Sequence, residues 1–342
     1  MTPLRFAVFG CGFWSQYQIA AWQALGGVEL VALYNRTRSR AEALAQRFGV
    51  PHIYDDAEAL LANEHLDFVD IISDVDTHAR FVALAVAHRV PVICQKPMAS
   101  TLVQAEAMVQ QCATAGVPFM IHENWRWQHP IRLVKDVLRS SGIGKPFRGR
   151  ITFANSFPVF DNQPFLSQIK RFIIADIGSH ILDVARFLFG EAHSLYCQTQ
   201  RINSTIAGED VATVLMRMGD NVTVTCEMSY ASPVEHDRFP ETYITVECED
   251  GTVELGPGFW LRITRRGDGT HSRRVPPARY PWADPAYDVV HASIADCNAN
   301  LLAALQGGPP AETTGADNLK TVRLVDAAYT SATNDTVQHF AW

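Results

Sequence analysis

Short apolar runs alternate with amphipathic segments through the first third of the chain. The apolar runs are bounded by glycine, proline or polar residues, as is typical of strands that are buried on both faces of a parallel sheet. These predicted strands cover residues 6–9, 29–34, 52–54, 68–72, 90–94 and 117–121. The predicted helices cover residues 15–25, 39–48, 56–62 and 79–88, and a further helix starts at a capping box formed by Thr101 and Gln104. Because right-handed crossovers cover such a sheet on both faces, we predict a doubly wound, Rossmann-type domain over residues 1–123.

The pattern changes to a period of two after residues 141–146, whose sequence SGIGKP marks a boundary. A predicted helix over residues 131–140 precedes this boundary, and one strongly helical insert, residues 171–188, interrupts the strands that follow. Those strands cover residues 147–154, 193–201, 211–218, 221–230, 242–249, 252–255 and 260–264. For residues 124–342 we therefore predict an α+β domain for substrate binding and oligomerisation, with one large, open, mainly antiparallel sheet and a C-terminal helix able to pack back on the first domain.

The first predicted strand ends in the sequence GCGFWS, residues 10–15. Gly10 suits a tight turn, Gly12 lets backbone N–H groups approach a pyrophosphate, and the small Ser15 lets the following helix pack closely on the strand. The positive end of that helix then faces the phosphates. The loop predicts dinucleotide binding by these residues together with Phe13 and Trp14, and an ordinary strand-to-helix turn is the alternative.

The second predicted strand ends at the position where an acidic residue normally binds the ribose 2′-hydroxyl of NAD. Here the residue is Asn35, followed by Arg36 and Arg38. A neutral amide still hydrogen-bonds a ribose hydroxyl, and either arginine is able to face the 2′-phosphate of NADP. The residues alone thus lean slightly towards NADP, unless the arginines are solvated charges at the start of the next helix.

Two segments at the carboxyl ends of later strands contain polar residues that are candidates for binding in the predicted dinucleotide cleft. Ser73 and His78 lie in and after the loop that follows the fourth predicted strand, where such sheets bind ligands. His78 is equally consistent with a role in starting the next helix. Gln95 and Lys96 end the fifth predicted strand before Pro97, so Lys96 is a candidate proton donor or hydrogen-bond partner for a substrate oxygen. A surface lysine before a helix is the alternative.

Aromatic, amide and charged residues follow the sixth predicted strand in the sequence HENWRWQHP, residues 122–130. Such an interleaved set suits a polyhydroxylated ligand, with Trp125 facing C–H groups and with Asn124, Arg126 and Gln128 binding hydroxyls. A domain hinge with buried tryptophans is the alternative. The segment is therefore a candidate sugar-binding surface.

The helical insert carries Asp176 and His180, four positions apart. That spacing projects both side chains from one face at the start of the helix. An imidazole with a carboxylate in reach is the usual equipment for removing a proton from an alcohol. A helix-start carboxylate beside a structural histidine is the alternative.

Composition narrows the classes of partner. The 342-residue chain has a net charge of −7, which gives no reason to expect nucleic acid or an anionic membrane as a partner. Its seven cysteines are scattered and form no C-x-x-C pair, so we predict buried free thiols in a reducing cytoplasm and no zinc or other metal site. The first residues lead straight into a predicted strand and no apolar run is long enough to span a membrane, so we expect neither a signal peptide nor a membrane span.

Four segments together resemble the Gfo/Idh/MocA family of NAD(P)-dependent oxidoreductases. They are GCGFWS near the amino terminus, ICQKP in place of the family's C-E-K-P, NWRWQHP in place of N-x-R-F-x-P, and DIGSHILD in place of D-x-G-x-H-x-x-D. Residues 314–320 and 326–332 resemble the family's closing helix. The resemblance therefore covers essentially the whole chain.

The resemblance implies a dehydrogenase that acts on CH–OH donors and passes a hydride from a sugar or polyol to NAD(P). It makes Lys96 the active-site lysine and Asp176 with His180 the acid–base pair. Gln163 and Arg171 are further candidate substrate ligands. Two departures stand out. Gln95 replaces the usual glutamate, which leaves a ribose or nicotinamide contact open, and residues 172–175, FIIA, replace a glycine run.

Within the family, the stretches LYNRTRSRAEALA and HENWRWQ resemble most the sugar 1-dehydrogenases of the D-apiose type, which use NAD and form a lactone. This resemblance favours NAD despite the missing acid at Asn35. Two alternatives stay open: a non-catalytic regulator that senses a dinucleotide or sugar, and an NAD-dependent glycosidase. The retained Lys96, Asp176 and His180 argue against the regulator, and release of free NADH would distinguish a dehydrogenase from the glycosidase. The open sheet face predicts a homodimer or homotetramer.

Overall fold

The structure is a computed structural model that describes residues 2–140, 142–235 and 239–342. It divides into two compact units, each described below by itself. The first unit is Met1–Asn124, Tyr280–Ala283 and Ile294–Val322, and the second is Trp125–Arg279, Asp284–Ser293 and Arg323–Trp342. The sequence-based division assigned both later segments of the first unit to the second domain. Ser141, which opens the predicted boundary segment, lies outside the described residues.

A six-stranded parallel sheet forms the centre of the first unit. Its strands are β1 (Leu4–Phe9), β2 (Val28–Tyr34), β3 (His52–Tyr54), β4 (Phe68–Ile71), β5 (Val92–Gln95) and β6 (Phe119–His122). They lie in the order β3-β2-β1-β4-β5-β6. The chain therefore leaves β1 and β4 in opposite directions along the sheet, and this switch point is where doubly wound sheets bind ligands. The predicted Rossmann-type fold is confirmed.

Helices connect successive strands of this sheet. They are α1 (Ser15–Leu25), α2 (Arg38–Phe48), α3 (Ala57–Asn63), α4 (Val75–Ala87) and α5 (Leu102–Ala115). The predicted cap of α5 forms, since Thr101 Oγ1 accepts a hydrogen bond from the Gln104 N–H at 3.2 Å. The predicted start of α4 at residue 79 is wrong, because the helix begins at Val75, so His78 lies within its first turn.

The second unit is built on a nine-stranded sheet in the order β14-β13-β12-β11-β7-β10-β9-β8-β15. Its strands are β7 (Pro146–Ala154), β8 (Ala192–Gln200), β9 (Val211–Met218), β10 (Thr223–Ser229), β11 (Tyr243–Cys248), β12 (Gly251–Gly256), β13 (Trp260–Arg265), β14 (Gly269–Arg274) and β15 (Gln338–His339). One pair, β7 and β10, is parallel and the other pairs are antiparallel. The mainly antiparallel sheet is confirmed. Strand β14 was not predicted, because its residues are all exposed and lack an apolar alternation.

The remaining α-helices are α6 (His129–Arg139), α7 (Val159–Asn162), α8 (Ser179–Phe189), α9 (Asp288–Leu305) and α10 (Gly315–Asn334). The predicted insert over residues 171–188 is not a uniform α-helix, because a π-helical turn, Ile174–Gly178, precedes α8. Helix α9 was not predicted. It buries the polar side chains of His291, Ser293 and Asn298, which interrupt its apolar stripe. Within the described residues, each helix is too short or too polar to cross a membrane.

Candidate active site

The loop after β1 takes a conformation that requires glycine at its first position. Gly10 has a φ of 109°, and a Cβ added there would lie 2.6 Å from the carbonyl oxygen of Ile72. The backbone that follows β1 thus lies directly against the backbone that follows β4. This contact places the loop at the switch point of the parallel sheet.

The second glycine leaves open space at the start of α1. A Cβ added to Gly12 would meet no atom within 4 Å, and Ser15 Oγ donates a hydrogen bond to the Gly12 carbonyl at 2.6 Å. Phe13 and Trp14 are 50% and 37% exposed, and their rings pack edge to face against each other and against Tyr17. An open loop at a helix N-terminus fits the pyrophosphate of a dinucleotide. The residues present therefore fit the predicted cofactor.

The amide of Asn35 ties this loop to the end of β2. Asn35 Oδ1 accepts a hydrogen bond from the Cys11 N–H at 3.0 Å, and Nδ2 donates one to the Thr37 carbonyl at 2.8 Å. Arg36 is exposed, whereas Arg38 Nε lies 3.1 Å from Glu42 Oε1 on the same helix. The amide therefore shapes the loop, and Arg38 already has an acidic neighbour within α2.

His78 joins the loop after β4 to the segment after Lys96. Its Nε2 lies 3.1 Å from the carbonyl oxygen of Ser73, and its Nδ1 lies 3.2 and 3.3 Å from the carbonyl oxygens of Pro97 and Met98. The ring is 1% exposed, and burial lowers the pKa of His78. Of the two roles considered for His78, this geometry favours a structural one over contact with the cofactor. The Ser73 hydroxyl itself hydrogen-bonds Thr77 Oγ1 at 2.7 Å.

Lys96 follows the last residue of β5 and is half-buried. Its backbone N–H donates a hydrogen bond to Gln95 Oε1 at 2.9 Å, and the Lys96–Pro97 peptide bond is cis. The side chain of Gln95 is therefore directed back onto the backbone of the candidate lysine. No short-range pattern in the sequence predicted that contact.

In the second unit, Asp176 lies in the π-helical turn and His180 lies in the first turn of α8. His180 is 4% exposed and Asp176 is half-buried. The indole of Trp125 stacks on the imidazole of His180, and Trp125 Nε1 donates a hydrogen bond to Thr242 Oγ1 at 3.0 Å. Burial and the charge of Asp176 together raise the pKa of Tyr230. The structure thus keeps an imidazole in a fixed aromatic setting with a carboxylate one helical turn earlier.

Glu209 anchors the start of this helical segment. Its Oε1 accepts hydrogen bonds from the N–H of Ile174 at 3.2 Å and from the Tyr329 hydroxyl at 2.7 Å, and the carboxylate also accepts one from the N–H of Phe172. A carboxylate at a helix N-terminus is stabilised by the helix dipole. Glu209 was not predicted as a functional residue, because it is remote in the chain from the helix that it caps.

The predicted substrate ligands lie in different surroundings. Arg126 is 5% exposed and its Nε and NH2 groups bind the two carboxylate oxygens of Asp183 at 2.7 and 2.6 Å, which favours a structural role. Arg171 is largely exposed, lies 3.2 Å from Asp326 and stacks over the ring of Tyr329. Asn124 and Trp125 are buried, and Gln163 is half-buried after α7.

The second unit also contains a cavity of about 620 Å³ that sequence analysis did not predict. Its wall includes Phe157 and Phe239, which stack with ring centroids 4.1 Å apart, together with Tyr287, Arg279 and Glu241. Among the described residues, no cluster of three or more His, Cys, Asp or Glu side chains is arranged to hold a metal ion.

Family models match both parts of the chain. Residues 4–123 match the oxidoreductase family with an NAD-binding Rossmann fold, and residues 131–254 match the GFO/IDH/MocA C-terminal domain. The chain therefore belongs to the Gfo/Idh/MocA family, and it is an NAD(P)-dependent oxidoreductase with an NAD-binding Rossmann domain. The family resemblance of the four sequence segments is confirmed.

Two curated relatives match almost the whole chain. The D-apiose dehydrogenase of Paraburkholderia graminis is 44% identical over 97% of this chain and 88% of its own length. The D-apiose dehydrogenase of Rhizobium rhizogenes is 42% identical over 98% of this chain and 96% of its own length. A solved oxidoreductase from Agrobacterium radiobacter, in complex with NAD+, L-tartaric acid and magnesium, is 41% identical with a TM-score of 0.97, over 99% of this chain and 98% of that one.

Proposed function

We propose that this protein is an NAD-dependent D-apiose dehydrogenase that oxidises the anomeric carbon of the sugar to a lactone. The observation that carries the proposal is the 44% and 42% identity to two D-apiose dehydrogenases over almost the entire chain. Lys96, Asp176 and His180 supply the proton-handling groups that such a reaction needs.

The surroundings of Asn35 support NAD as the preferred cofactor. Arg38 is engaged with Glu42, and the Asn35 amide still has a second N–H that is able to donate to a ribose hydroxyl. Gly10, Gly12 and Ser15 form the loop for the pyrophosphate, with Phe13 and Trp14 at its exposed rim. When bound, NAD supplies carbon 4 of its nicotinamide as the hydride acceptor.

The chain's own residues orient the sugar and move one proton. The ammonium of Lys96 donates a hydrogen bond to a sugar oxygen, and the neutral imidazole of His180 accepts the proton of the anomeric hydroxyl. As that O–H bond breaks, the anomeric C–H bond gives up its hydride and the C–O bond becomes a carbonyl. The carboxylate of Asp176 stabilises the resulting imidazolium. Asn124, Gln163 and Arg171 are proposed to bind the remaining sugar hydroxyls, and Trp125 to support the histidine.

The proposal is tested by following absorbance at 340 nm with NAD or NADP and a panel of D-apiose, D-xylose, myo-inositol and levoglucosan. We expect the highest kcat/KM with D-apiose and NAD, and NMR of the product should identify a lactone or its hydrolysed acid. Higher kcat/KM for another sugar would contradict the substrate, and a preference for NADP would contradict the cofactor. Tight NAD binding without turnover of any sugar would favour the sensing regulator.

We also propose that the protein is a homodimer or homotetramer that associates through the open face of the nine-stranded sheet. On β9 this face carries Thr213, Leu215 and Arg217, and Leu215 is 47% exposed. Light scattering should give a multiple of the mass of one chain, and Leu215→Glu should reduce it. The mass of a single chain for the wild type at working concentration would contradict this proposal.

We further propose a cytoplasmic location. All seven cysteines lie within the described residues, and each is buried and forms no disulfide bond. Reduced thiols are typical of proteins in a reducing compartment. Cell fractionation with a tagged chain should recover the protein with cytoplasmic markers, and recovery in an exported fraction would contradict the proposal.

A further inference from the structure

A buried carboxylate begins a chain of hydrogen bonds that leads to Lys96. Asp70 on β4 is 0% exposed. Its carboxylate accepts hydrogen bonds from Trp22 Nε1 at 2.8 Å and from Gln18 Nε2 at 2.8 and 2.9 Å. Because a carboxylate without a proton only accepts, the nitrogen of the Gln18 amide must face Asp70 and its oxygen must point away.

The chain continues from Gln18 through Gln95. Gln18 Oε1 accepts a hydrogen bond from Gln95 Nε2 at 2.8 Å, and Gln95 Oε1 accepts one from the backbone N–H of Lys96 at 2.9 Å. A backbone N–H only donates, so the oxygen of Gln95 must face Lys96. Asp70 at one end of this series of hydrogen bonds and the Lys96 N–H at the other therefore require the same orientation of the Gln18 and Gln95 amides, with each nitrogen on the side of Asp70.

A histidine on β6 completes the surroundings of the Gln95 amide. His122 Nε2 lies 3.0 Å from Asn298 Oδ1, and His122 Nδ1 lies 3.5 Å from Gln95 Nε2. An amide oxygen only accepts, so Nε2 carries the hydrogen in the neutral ring and the lone pair of Nδ1 faces Gln95. Two acceptors therefore face the NH2 group of Gln95.

We propose that Gln95 is a positioning residue for Lys96, held in one orientation by Asp70 through Gln18, and that this arrangement excludes a glutamate at position 95. The inference rests on the proposed dehydrogenase function, in which Lys96 contacts the sugar. A carboxylate at position 95 would still accept from the Lys96 N–H. It would have no hydrogen for Gln18 Oε1 or His122 Nδ1, and two buried acceptors would face it.

The direction of the hydrogen bonds suggests a compensating change. In Asp70→Asn the new amide nitrogen is able to donate to Gln18 Oε1 once the Gln18 amide turns over. Gln18 Nε2 then faces position 95 and needs an acceptor there. Wild-type Gln95 presents only its NH2 group, whereas the carboxylate of Gln95→Glu accepts this hydrogen bond. The double variant Asp70→Asn/Gln95→Glu therefore reverses the hydrogen bonds between positions 70, 18 and 95 and satisfies them again, and only His122 Nδ1 still faces the new carboxylate. Each single variant leaves like groups facing each other at Gln18.

The test compares the wild type, both single variants and the double variant at pH 8.5. Burial raises the pKa of the Asp70 carboxyl to about 7, although the bonds from Trp22 and Gln18 lower it, so this pH keeps the carboxylate ionised. Gln110→Glu is the matched control, because Gln110 is an exposed glutamine on α5. The readouts are the Tm of the protein without cofactor, the Kd for NAD, and kcat with D-apiose.

We expect Gln95→Glu to lower Tm by about 4 °C and kcat about tenfold, with the Kd for NAD changed less than about threefold. The double variant should recover at least half of both losses, and Gln110→Glu should behave like the wild type. Additive losses in the double variant, or a silent Gln95→Glu, would overturn the proposal.

The two readouts separate this inference from the proposed function. If the wild type does not oxidise D-apiose, the substrate assignment fails, and the Tm values of the four proteins still measure the coupling between positions 70 and 95. If Tm shows the coupling while kcat in an active enzyme does not, the chain is structural only and the positioning role of Gln95 is wrong.

Discussion

The indole ring of Trp125 lies stacked on the imidazole ring of His180, with centroids 4.2 Å apart and ring planes inclined by 21°. The indole is itself fixed by its hydrogen bond to Thr242. We predict that Trp125→Leu lowers kcat about tenfold, because the imidazole loses the surface that restricts its rotamers, while the Kd for NAD stays unchanged. Steady-state kinetics and calorimetry check both values.

Trp260→Leu is the matched control for this prediction. Trp260 is 39% exposed on β13, and we expect its replacement to leave kcat near that of the wild type. If Trp125→Leu raised only the KM for the sugar, Trp125 would act as a substrate contact and not as a support for His180.

Lys96 and His180 should each be essential for turnover but not for cofactor binding. We predict that Lys96→Ala and His180→Ala lower kcat by orders of magnitude, since each removes a group that handles a proton or orients the sugar. The Kd for NAD, measured by calorimetry, should change little. Near-normal turnover in either variant would show that the residue has another role.

The sequence predicted those elements whose signals are local. The apolar runs gave all six strands of the parallel sheet, and the glycine spacing gave the loop after β1. Within each unit, the contacts around the candidate residues join positions far apart in the chain. Examples are Gln95 with Gln18 and His122 with Asn298 in the first unit, and the helix start at Ile174 with Glu209 in the second. The periodicity of apolar residues does not predict these pairs, because each pair forms only when separate elements pack together.

The π-helical turn shows a second limit of sequence analysis. Residues 171–188 have ordinary helical periodicity, and the prediction of one continuous helix followed from it. A π-helical turn adds one residue to the local turn. Here its first N–H donates to Glu209, and a Cβ added to Gly178 at its end would lie 3.2 Å from Met228 Sδ. Such turns occur often at functional sites, and this one contains Asp176, the carboxylate that we propose as the partner of His180.

The two glycines of the first loop should respond differently to a methyl group. We predict that Gly12→Ala leaves the Tm of the protein without cofactor unchanged but weakens NAD binding at least about tenfold, because the added Cβ meets no protein atom and occupies the space open to the pyrophosphate. Gly10→Ala should instead lower Tm, since its Cβ would lie 2.6 Å from the Ile72 carbonyl. Equal Kd values for Gly12→Ala and wild type would contradict the proposed cofactor site.

The residue at position 35 should control discrimination against NADP. We predict that Asn35→Asp raises the KM for NADP at least about tenfold, because a carboxylate repels a 2′-phosphate, and changes the KM for NAD much less. Either side chain accepts the bond from the Cys11 N–H, whereas the bond that Asn35 Nδ2 donates to the Thr37 carbonyl is lost in the variant. Kinetics with both cofactors test the prediction, and a similar rise for the two cofactors would mean that Asn35 acts only through loop structure.

His291 should make the stability of the second unit depend on pH. Its Nδ1 accepts a hydrogen bond from the Asp284 N–H at 3.0 Å, and the residue is 1% exposed. Burial lowers the pKa of His291 to about 4, although the charge of Asp284 raises it. In the unfolded chain the pKa of His291 is near 6.5, so the unfolded chain binds this proton at a higher pH than the folded protein does. The contribution of His291 to the free energy of unfolding is therefore complete above about pH 6.5 and is lost as the pH falls towards 4. At pH 5 the loss is about 2 kcal/mol.

The substitution His291→Asn separates this contribution from those of other titrating groups. An asparagine oxygen is able to accept from the Asp284 N–H but does not titrate, so the difference in Tm between pH 7.5 and pH 5 should shrink relative to the wild type. His193→Asn is the matched control, because His193 is exposed on β8 and its loss should leave that difference nearly unchanged. The same pH dependence in His291→Asn and wild type would mean that the buried imidazole is not the group that carries the effect.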